Sequence, residues 1–324
     1  MLGKKKLSVC MITYNNETEI KKSLRCMGKI VDEVFVVDIG STDQTREVAE
    51  KLGASVYLYE WKDSFSEVKN FAMEHATGKW ILFLQPYEVI EEEEWDRMYD
   101  MLENPNVEAY LLFPNYGLEE YVVYSPVSSL RLIRNRKEYR FCYQSFERIP
   151  DESLRNIEEA DLHVTNINTS EIPWDLQLRM RLLEEEVKVQ ESDGYIQYMY
   201  GIMRLNAQEF EESLAYLKKA YGLIDLEYLF APHLYKCLAL DYMIAEQYEP
   251  ALEVLKEGIT FFAFYTDLLV LRAEVYRETG CYELALEDLK TCMDSRERPY
   301  FFVPGPEIDL DTIAGALASL EQEM

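Results

Sequence analysis

The amino-acid sequence predicts a doubly wound α/β domain followed by an all-α repeat domain. In the first half, short apolar runs are each followed by small or polar residues and then by a helical pattern. This arrangement indicates parallel strands buried on both faces. In the second half, one short motif recurs at nearly constant intervals, which is typical of a helical repeat. The length of 324 residues is sufficient for two such domains.

Predicted strands and helices alternate through the first half. Apolar residues at helical spacing predict a helix over Glu17–Met27. A serine followed three residues later by glutamine or glutamate forms a capping box, which predicts that helices begin at Ser41 and at Ser64. Gly53 is suited to end the first of these two. The predicted strands are Leu7–Tyr14, Glu33–Val37, Ser55–Tyr59 and Trp80–Leu84.

The loop after the second strand is the first candidate for a binding site, because doubly wound sheets bind ligands at the carboxyl ends of their strands. Gly40 permits a tight turn, and Ser41 precedes a helix whose amino end favours negative charge. The carboxylate of Asp38 can accept a hydrogen bond from a base N–H or a ribose hydroxyl. In the alternative interpretation, Asp38 and Ser41 only fix the turn. Both interpretations remain open at this point.

The composition disfavours some classes of binding partner and indicates the cellular compartment. Sixty acidic residues against 33 basic ones give a net charge of −27, which disfavours nucleic acid and anionic membranes as main partners. No stretch approaches the ~20 apolar residues of a membrane-spanning helix. The six cysteines show no C-x-x-C spacing, so we expect buried free thiols in a reducing compartment. These features predict a cytoplasmic protein.

A self-similar motif predicts helical repeats in the second half. Its copies, Phe210–Leu217, Tyr248–Leu255 and Tyr282–Leu289, begin 38 and 34 residues apart, and each follows a further helical stretch. The second spacing is the tetratricopeptide period. Together with a terminal helix near Leu310–Gln322, these copies predict a short solenoid of tetratricopeptide repeats. Solenoids of this kind bind other chains on a concave surface.

The segment Asn166–Pro173 separates the two halves, because it is rich in turn-forming residues and ends in a proline suited to the first position of a helix. We therefore expect an α/β domain over residues 1–168, and a helical linker with tetratricopeptide repeats over residues 169–324.

Four segments of the first half, taken in order, resemble the family 2 glycosyltransferases: Cys10–Asn15, Val36–Thr45, Trp61–Ala72 and Ala76–Leu84. The chain most resembles the subgroup in which a GT-A domain, with a Rossmann-like fold, precedes tetratricopeptide repeats. This resemblance implies that a sugar is transferred from a nucleotide-sugar donor to a peptide, protein or glycan acceptor. The repeats would present the acceptor, bind a partner protein, or pair two copies of the chain as a homodimer.

The resemblance also implies which residues hold the nucleotide sugar. Lys69 stands where the family usually has arginine, so the charge that could meet a diphosphate is kept while the bidentate fork is lost. The implied donor-binding residues are Ile12, Thr13, Tyr14, Asp38, Gly40, Lys69 and Gln85.

One motif departs from the family pattern. After the fourth strand the family normally has Asp-x-Asp, whose carboxylates hold Mg²⁺ or Mn²⁺ against the diphosphate, whereas this chain reads Gln85-Pro86-Tyr87-Glu88. Gln85 offers only a neutral carbonyl and Tyr87 a phenol, so Glu88 is the one anion left for a hard cation. By resemblance, His163 is the second candidate metal ligand. In the alternative interpretation, His163 is a structural residue of a strand.

Glu147 is the candidate general base. It corresponds to the glutamate of an Ile-His-Glu segment in the family, in which Phe146 replaces the histidine. The alternative is a surface carboxylate that faces Arg148. Three further arginines, at positions 131, 134 and 136, either support a phosphate site or belong to a strand over Leu130–Arg136.

Two functions therefore remain open. The first is a glycosyltransferase with the donor and acceptor classes given above. The second is a catalytically inactive homologue that acts as a binding or scaffolding partner through its repeats. The missing carboxylates at positions 85 and 87 favour the second, while Asp38, Lys69 and Glu147 favour the first.

Overall fold

A computed structural model describes residues 6–112, 114–115, 130–160, 162–167, 174–263, 265–294 and 315. The described residues up to 186 form one compact unit, and those from 187 onward form a second. The first unit includes most of helix α5 (Trp174–Val189), which follows the predicted linker. The predicted terminal helix near Leu310–Gln322 and most of the predicted linker lie outside the described residues.

The first unit begins with four strands and three helices in the predicted alternation. These are β1 (Leu7–Thr13), α1 (Glu17–Arg25), β2 (Val31–Asp38), α2 (Thr45–Lys51), β3 (Ser55–Leu58), α3 (Phe65–His75) and β4 (Trp80–Phe83). The elements that follow are β5 (Glu88–Ile90), α4 (Glu92–Glu103), β6 (Ala109–Leu111), β7 (Pro114–Asn115), β8 (Leu130–Arg134), β9 (Ile157–Glu159) and β10 (Val164–Asn166).

The main sheet has the strand order β3-β2-β1-β4-β8-β6-β9. The first four strands are parallel, as the sequence predicted, so their carboxyl ends meet at one edge. Strand β8 is antiparallel to both β4 and β6, which makes the sheet mixed. A smaller sheet has the order β5-β10-β7.

Strand β1 lies between β2 and β4, and all seven of its residues are buried. Helices α1 and α4 contribute Ile20 and Trp95 to the same core. Burial on both faces explains why this strand is mostly apolar and does not alternate.

The two predicted capping boxes have different outcomes. At Ser64 the prediction is confirmed, because the hydroxyl accepts a hydrogen bond from the backbone N–H of Glu67 at 3.2 Å. At Ser41 it is wrong, because that hydroxyl accepts from the backbone N–H of Asn15 instead. Helix α2 begins only at Thr45, whose backbone N–H donates to Asp43.

The cysteine prediction also holds only in part. Cys10, Cys237 and Cys292 are buried, as expected, whereas Cys142 and Cys281 are exposed. Cys142 lies in an isolated β-bridge with Arg148, and Cys281 immediately precedes α11, so neither thiol belongs to an apolar run.

The second unit consists of helices in consecutive pairs, at the positions that the repeat motif predicted. The pairs are α6 (Gly194–Asn206) with α7 (Phe210–Tyr221), α8 (Ala231–Ile244) with α9 (Tyr248–Phe261), and α10 (Thr266–Glu278) with α11 (Tyr282–Asp294). Each copy of the motif opens the second helix of a pair. Among the described residues, no helix is both long and apolar enough to cross a membrane.

The close approach of α6 and α7 depends on Gly201. A Cβ atom at this position would lie 2.6 Å from a Leu217 methyl carbon and 3.2 Å from the Leu217 backbone nitrogen. We therefore expect Gly201→Ala to lower the free energy of unfolding of the second unit by about 1–3 kcal/mol. The matched control is Gly222→Ala, where the nearest atom is 3.7 Å away. Thermal unfolding followed by circular dichroism measures both, and equal melting temperatures would contradict the prediction.

Candidate functional site

Asp38, the last residue of β2, holds the turn that follows this strand. Its buried carboxylate accepts hydrogen bonds on Oδ1 from the backbone N–H groups of Ser41 at 2.9 Å and Gly40 at 3.2 Å. The Thr13 hydroxyl donates to Oδ2 at 3.2 Å. Gly40 has a φ of 119°, which favours glycine. A carboxylate can accept about four hydrogen bonds, so Oδ2 has unused acceptor capacity. Since the Asp38 side chain is fully buried, a ligand reaches this oxygen only if neighbouring atoms move.

The end of β1 lies beside this turn, because Thr13 pairs with Asp38 in the parallel register. Ile12 and Thr13 are buried, whereas Tyr14 is 40% exposed. The Tyr14 ring lies 5.8 Å, centroid to centroid, from the ring of Trp174 at the start of α5. Of these three residues, which the sequence predicted to bind the donor, Tyr14 is the one that presents an accessible side chain.

A small cavity lies at the carboxyl ends of β1 and β4. Its volume is about 10 Å³, which is room for about one water molecule. Three cationic side chains line it, namely Lys69 of α3, Arg131 of β8 and Arg179 of α5, together with Gln85. The other lining residues are Cys10, Ile12, Phe65, Phe83, Leu84 and Trp174.

Two of these cations share one carboxylate, that of Glu147. Lys69 Nζ lies 2.6 Å from Glu147 Oε1. Arg179 donates to both oxygens of the same carboxylate, with Nη2 at 3.2 Å from Oε1 and Nη1 bound to Oε2. All three residues are less than 10% exposed. The Glu147 loop is fixed by backbone hydrogen bonds in both directions between Cys142 and Arg148.

This shared carboxylate explains the pKa shifts at the site. Burial raises the pKa of Glu147, but Arg179 and Lys69 outweigh burial and lower the pKa to about 2. Burial lowers the pKa of Lys69; Glu147 opposes this shift, and the like charge of Arg179 adds to it. The site therefore stabilises a buried negative charge.

Glu147 does not have the surroundings that the sequence predicted. It is not a surface carboxylate facing Arg148, because it is buried and because Arg148 Nη2 lies 2.5 Å from Asp151 Oδ2. With a pKa of about 2 and two cationic partners, it is a weak proton acceptor near pH 7. In this arrangement Glu147 holds Lys69 and Arg179 in place, which does not suit the predicted role of general base.

Glu88, a predicted metal ligand, is fully buried and bound to an arginine. Its Oε2 lies 2.9 Å from Arg131 Nη1 and accepts the backbone N–H of Gln85 at 2.7 Å. His163, the second predicted ligand, is exposed, and its backbone N–H donates to Glu94. Within the described residues, no group of three or more His, Cys, Asp or Glu side chains could hold a metal ion.

The donor set therefore does not fit Mg²⁺ or Mn²⁺. These cations prefer several charged oxygen ligands, whereas position 85 carries an amide and position 87 a phenol. The carboxylate of Glu88 is compensated by Arg131. No step of the chemistry below depends on a metal.

Only one of the three arginines of the predicted Leu130–Arg136 strand lines the cavity. Arg134 lies over the Trp80 ring at 4.1 Å and donates to the backbone carbonyls of Asn104 and Val107. Arg136 forms an ion pair with Glu108 and is largely exposed. Arg134 is the last residue of β8, as the strand interpretation predicted, whereas Arg136 lies beyond the end of this strand.

Helix α5 contributes site residues that the sequence interpretation missed. Asp175 accepts a hydrogen bond from the phenol of Tyr87 at 2.6 Å. Arg179 binds Glu147 as described, and Glu186 accepts from the backbone N–H of Ser145 at 3.1 Å. The pair of Asp175 and Arg179, four residues apart, was a visible signal, but the same spacing is common on solvated helix faces.

The fold and the polar edge of its sheet place the first unit among α/β domains that bind ligands at the carboxyl ends of parallel strands. Residues 8–158 match the model of the family described as Glycosyl transferase family 2. These residues are thus similar to a family 2 glycosyltransferase domain, and the predicted resemblance is confirmed for this part of the chain.

Individual proteins with a similar sequence support the same resemblance. A TPR repeat-containing protein of Synechococcus elongatus is 32% identical over 155 residues, which cover 48% of this chain and 38% of that protein. An uncharacterized glycosyltransferase of Rickettsia conorii is 33% identical over 108 residues, which cover 33% of this chain and 38% of that protein. The match thus spans less than two fifths of the length of these relatives.

Among solved structures, that of S. aureus TarS 1–349 in complex with UDP-GlcNAc is similar to this chain with a TM-score of 0.45. The sequence identity is 16%, and the match covers 85% of this chain and 92% of that one.

Proposed function

We propose that the first unit transfers a sugar from a nucleotide-sugar donor to an acceptor. One observation carries the proposal. The Asp38 turn and the cations Lys69, Arg131 and Arg179 lie at the same edge of the sheet. A carboxylate with spare acceptor capacity suits a nucleoside, and a group of cations suits a diphosphate. Both features lie within or beside the residues that match the family 2 model.

In this proposal each residue contacts a different part of the nucleotide sugar. Asp38 accepts a hydrogen bond from the base or ribose, and the accessible Tyr14 ring contacts the nucleoside. Lys69 attracts the diphosphate, with Gln85 beside it as a neutral hydrogen-bonding group. Leaving-group charge develops on the diphosphate as the sugar departs, and cations already in place stabilise that charge.

The acceptor is a further proposal, which rests on the second unit. Helical repeats bind peptides and proteins, so we propose a peptide or protein acceptor, or a glycan carried by one. The alternative use of these repeats is to bind a partner protein or a second copy of the chain.

The test of the donor site is Asp38→Asn. An amide oxygen still accepts from the backbone N–H groups of Gly40 and Ser41, so we expect the turn to persist. The loss of the anionic acceptor should weaken binding of UDP- or GDP-sugars about tenfold or more by calorimetry.

The matched control is Asp32→Asn, at the amino end of the same strand, where Asp32 accepts from the backbone N–H of Leu7. We expect its donor affinity to equal that of the natural protein. Equal affinities in both variants would contradict the placement of Asp38 in the donor site.

The second candidate function is an inactive homologue that binds partners through its repeats. Two observations favour it: neutral side chains at positions 85 and 87, and a cavity with room for about one water molecule. Absence of binding to any UDP- or GDP-sugar would support this candidate over the transferase.

A further inference from the structure

The site lacks the carboxylates that a divalent cation would need, although a diphosphate carries at least two negative charges that must be compensated. Gln85 and Tyr87 are neutral, and the described residues contain no cluster that could hold a metal ion. A charge-compensating group other than a metal is therefore required if a nucleoside diphosphate binds here.

Three buried cations supply that compensation once a phosphate replaces the Glu147 carboxylate, which now pairs with two of them. Lys69, Arg131 and Arg179 come from three separate elements and line one cavity, and each is at least nine-tenths buried. Burial makes each of them more effective, because the attraction between opposite charges is less screened away from water.

Aromatic rings hold two of these cations in place independently of their carboxylate. Lys69 Nζ lies 4.9 Å from the centroid of the Phe83 ring and 4.7 Å from that of Phe141. The Arg179 guanidinium lies 3.8 Å from the centroid of the Phe65 ring. Such contacts are attractive for cations, so both groups can stay in position when their anionic partner changes.

The local charges balance without a metal. In the family pattern, two carboxylates and one divalent cation together carry no net charge. In this chain, the amide at position 85 and the phenol at position 87 together also carry no net charge. The substitutions at positions 85 and 87 thus remove the metal ligands and, with them, the negative charge that a metal would have neutralised. A diphosphate meets the same net charge in either arrangement.

We infer that this site binds the diphosphate of the donor through Lys69, Arg131 and Arg179, without a divalent cation. The inference rests on the proposed function and specifies how its substrate is held. A phosphate oxygen takes over the position that the Glu147 carboxylate now occupies between Lys69 and Arg179. Since the cavity has room for about one water molecule, this exchange requires side chains of α5 to shift.

The first experiment titrates the full chain with UDP and with GDP, once in EDTA and once in Mn²⁺. We expect dissociation constants that agree within about threefold between the two conditions. Binding that requires Mn²⁺ would overturn the inference and leave the proposed function standing. Absence of binding in both conditions would overturn the proposed function, and the inference with it.

The second experiment compares two arginines of α5. Arg179→Gln should weaken UDP or GDP binding in EDTA about tenfold or more, because a charge-assisted hydrogen bond is lost. Arg181→Gln is the matched control, since Arg181 is mostly exposed and pairs only loosely with Asp63 at 3.4 Å. Equal affinities of these two variants would overturn the role of Arg179.

Arg179→Gln removes a partner of a buried carboxylate and could therefore weaken binding by unfolding the protein. A second variant tests this alternative. Arg179→Gln with Glu147→Gln removes one positive and one negative charge, so the net charge of the cluster is unchanged, although Lys69 loses its carboxylate. Circular dichroism checks that this variant is folded, and it should still bind UDP or GDP weakly in EDTA. Arg179→Lys keeps the charge and should restore part of the affinity. Full affinity of the double variant would contradict the inference.

Discussion

Replacing Arg131 by methionine is expected to lower the free energy of unfolding of the first unit by about 3–5 kcal/mol. Arg131 Nη1 lies 3.2 Å and 2.9 Å from the two carboxylate oxygens of Glu88, which is fully buried. Methionine fills a similar volume but leaves Glu88 without its cation. Urea unfolding followed by tryptophan fluorescence measures the change, because Trp61, Trp80, Trp95 and Trp174 all belong to this unit.

Two controls separate the loss of the ion pair from the loss of volume. Arg131→Met combined with Glu88→Gln removes both charges, and we expect it to recover much of the lost stability. Arg136→Met, in the same stretch, breaks an ion pair with Glu108 in which the arginine side chain is 45% exposed, and it should cost about 1 kcal/mol or less. Similar stabilities of Arg131→Met and Arg136→Met would contradict the assignment of Glu88 to a buried ion pair.

The order of the first four strands and three helices could be predicted from the sequence because their signals are local. The run from Leu7 to Thr13 is mostly apolar, and it is buried on both faces as a central strand. Ser64 and Glu67 form a capping box within four residues, and α3 begins there. The repeat motif likewise lies within single helices, so all three pairs of the second unit were predicted.

The site was predicted less completely, because its ion pairs join residues that are far apart in sequence. Glu88 pairs with Arg131, and Glu147 with Lys69 and Arg179. The nearest of these partners is 32 residues away. A carboxylate after a strand looks the same in sequence whether it binds a metal or an arginine, so the sequence alone predicts Glu88 as a candidate metal ligand.

The helix α5 illustrates the same difficulty. Its helical pattern continues into the repeats, so the sequence assigned it to the second domain. Only the packing of Asp175, Arg179 and Glu186 against Tyr87, Glu147 and Ser145 reveals that it completes the site. The charge pattern of α5 is also that of an ordinary amphipathic helix, and no local feature separates the two roles.

Glu147→Gln is expected to change how the stability of the first unit depends on pH. The pKa of Glu147 is lowered from its ordinary value of 4.5 to about 2, against the effect of burial, by Arg179 and Lys69. A carboxyl with a lowered pKa stabilises the folded state fully above its unfolded-state pKa and loses that contribution as the pH falls through its folded-state pKa. The contribution of Glu147 is therefore present above about pH 4.5 and is lost toward about pH 2, and at neutral pH it amounts to about 3 kcal/mol.

The measurement is the difference in free energy of unfolding between the natural protein and Glu147→Gln, from urea titrations near pH 7 and near pH 3. Other carboxyls with lowered pKa, such as Asp43 and Glu108, are present in both proteins, so their effects cancel in this difference. Protonated Glu147 resembles glutamine, hence the difference should be about 2 kcal/mol smaller near pH 3 than near pH 7. A difference that stays constant over this range would mean that Glu147 is not held as an anion between Lys69 and Arg179. The electrostatic basis of the donor site would then have to be sought elsewhere.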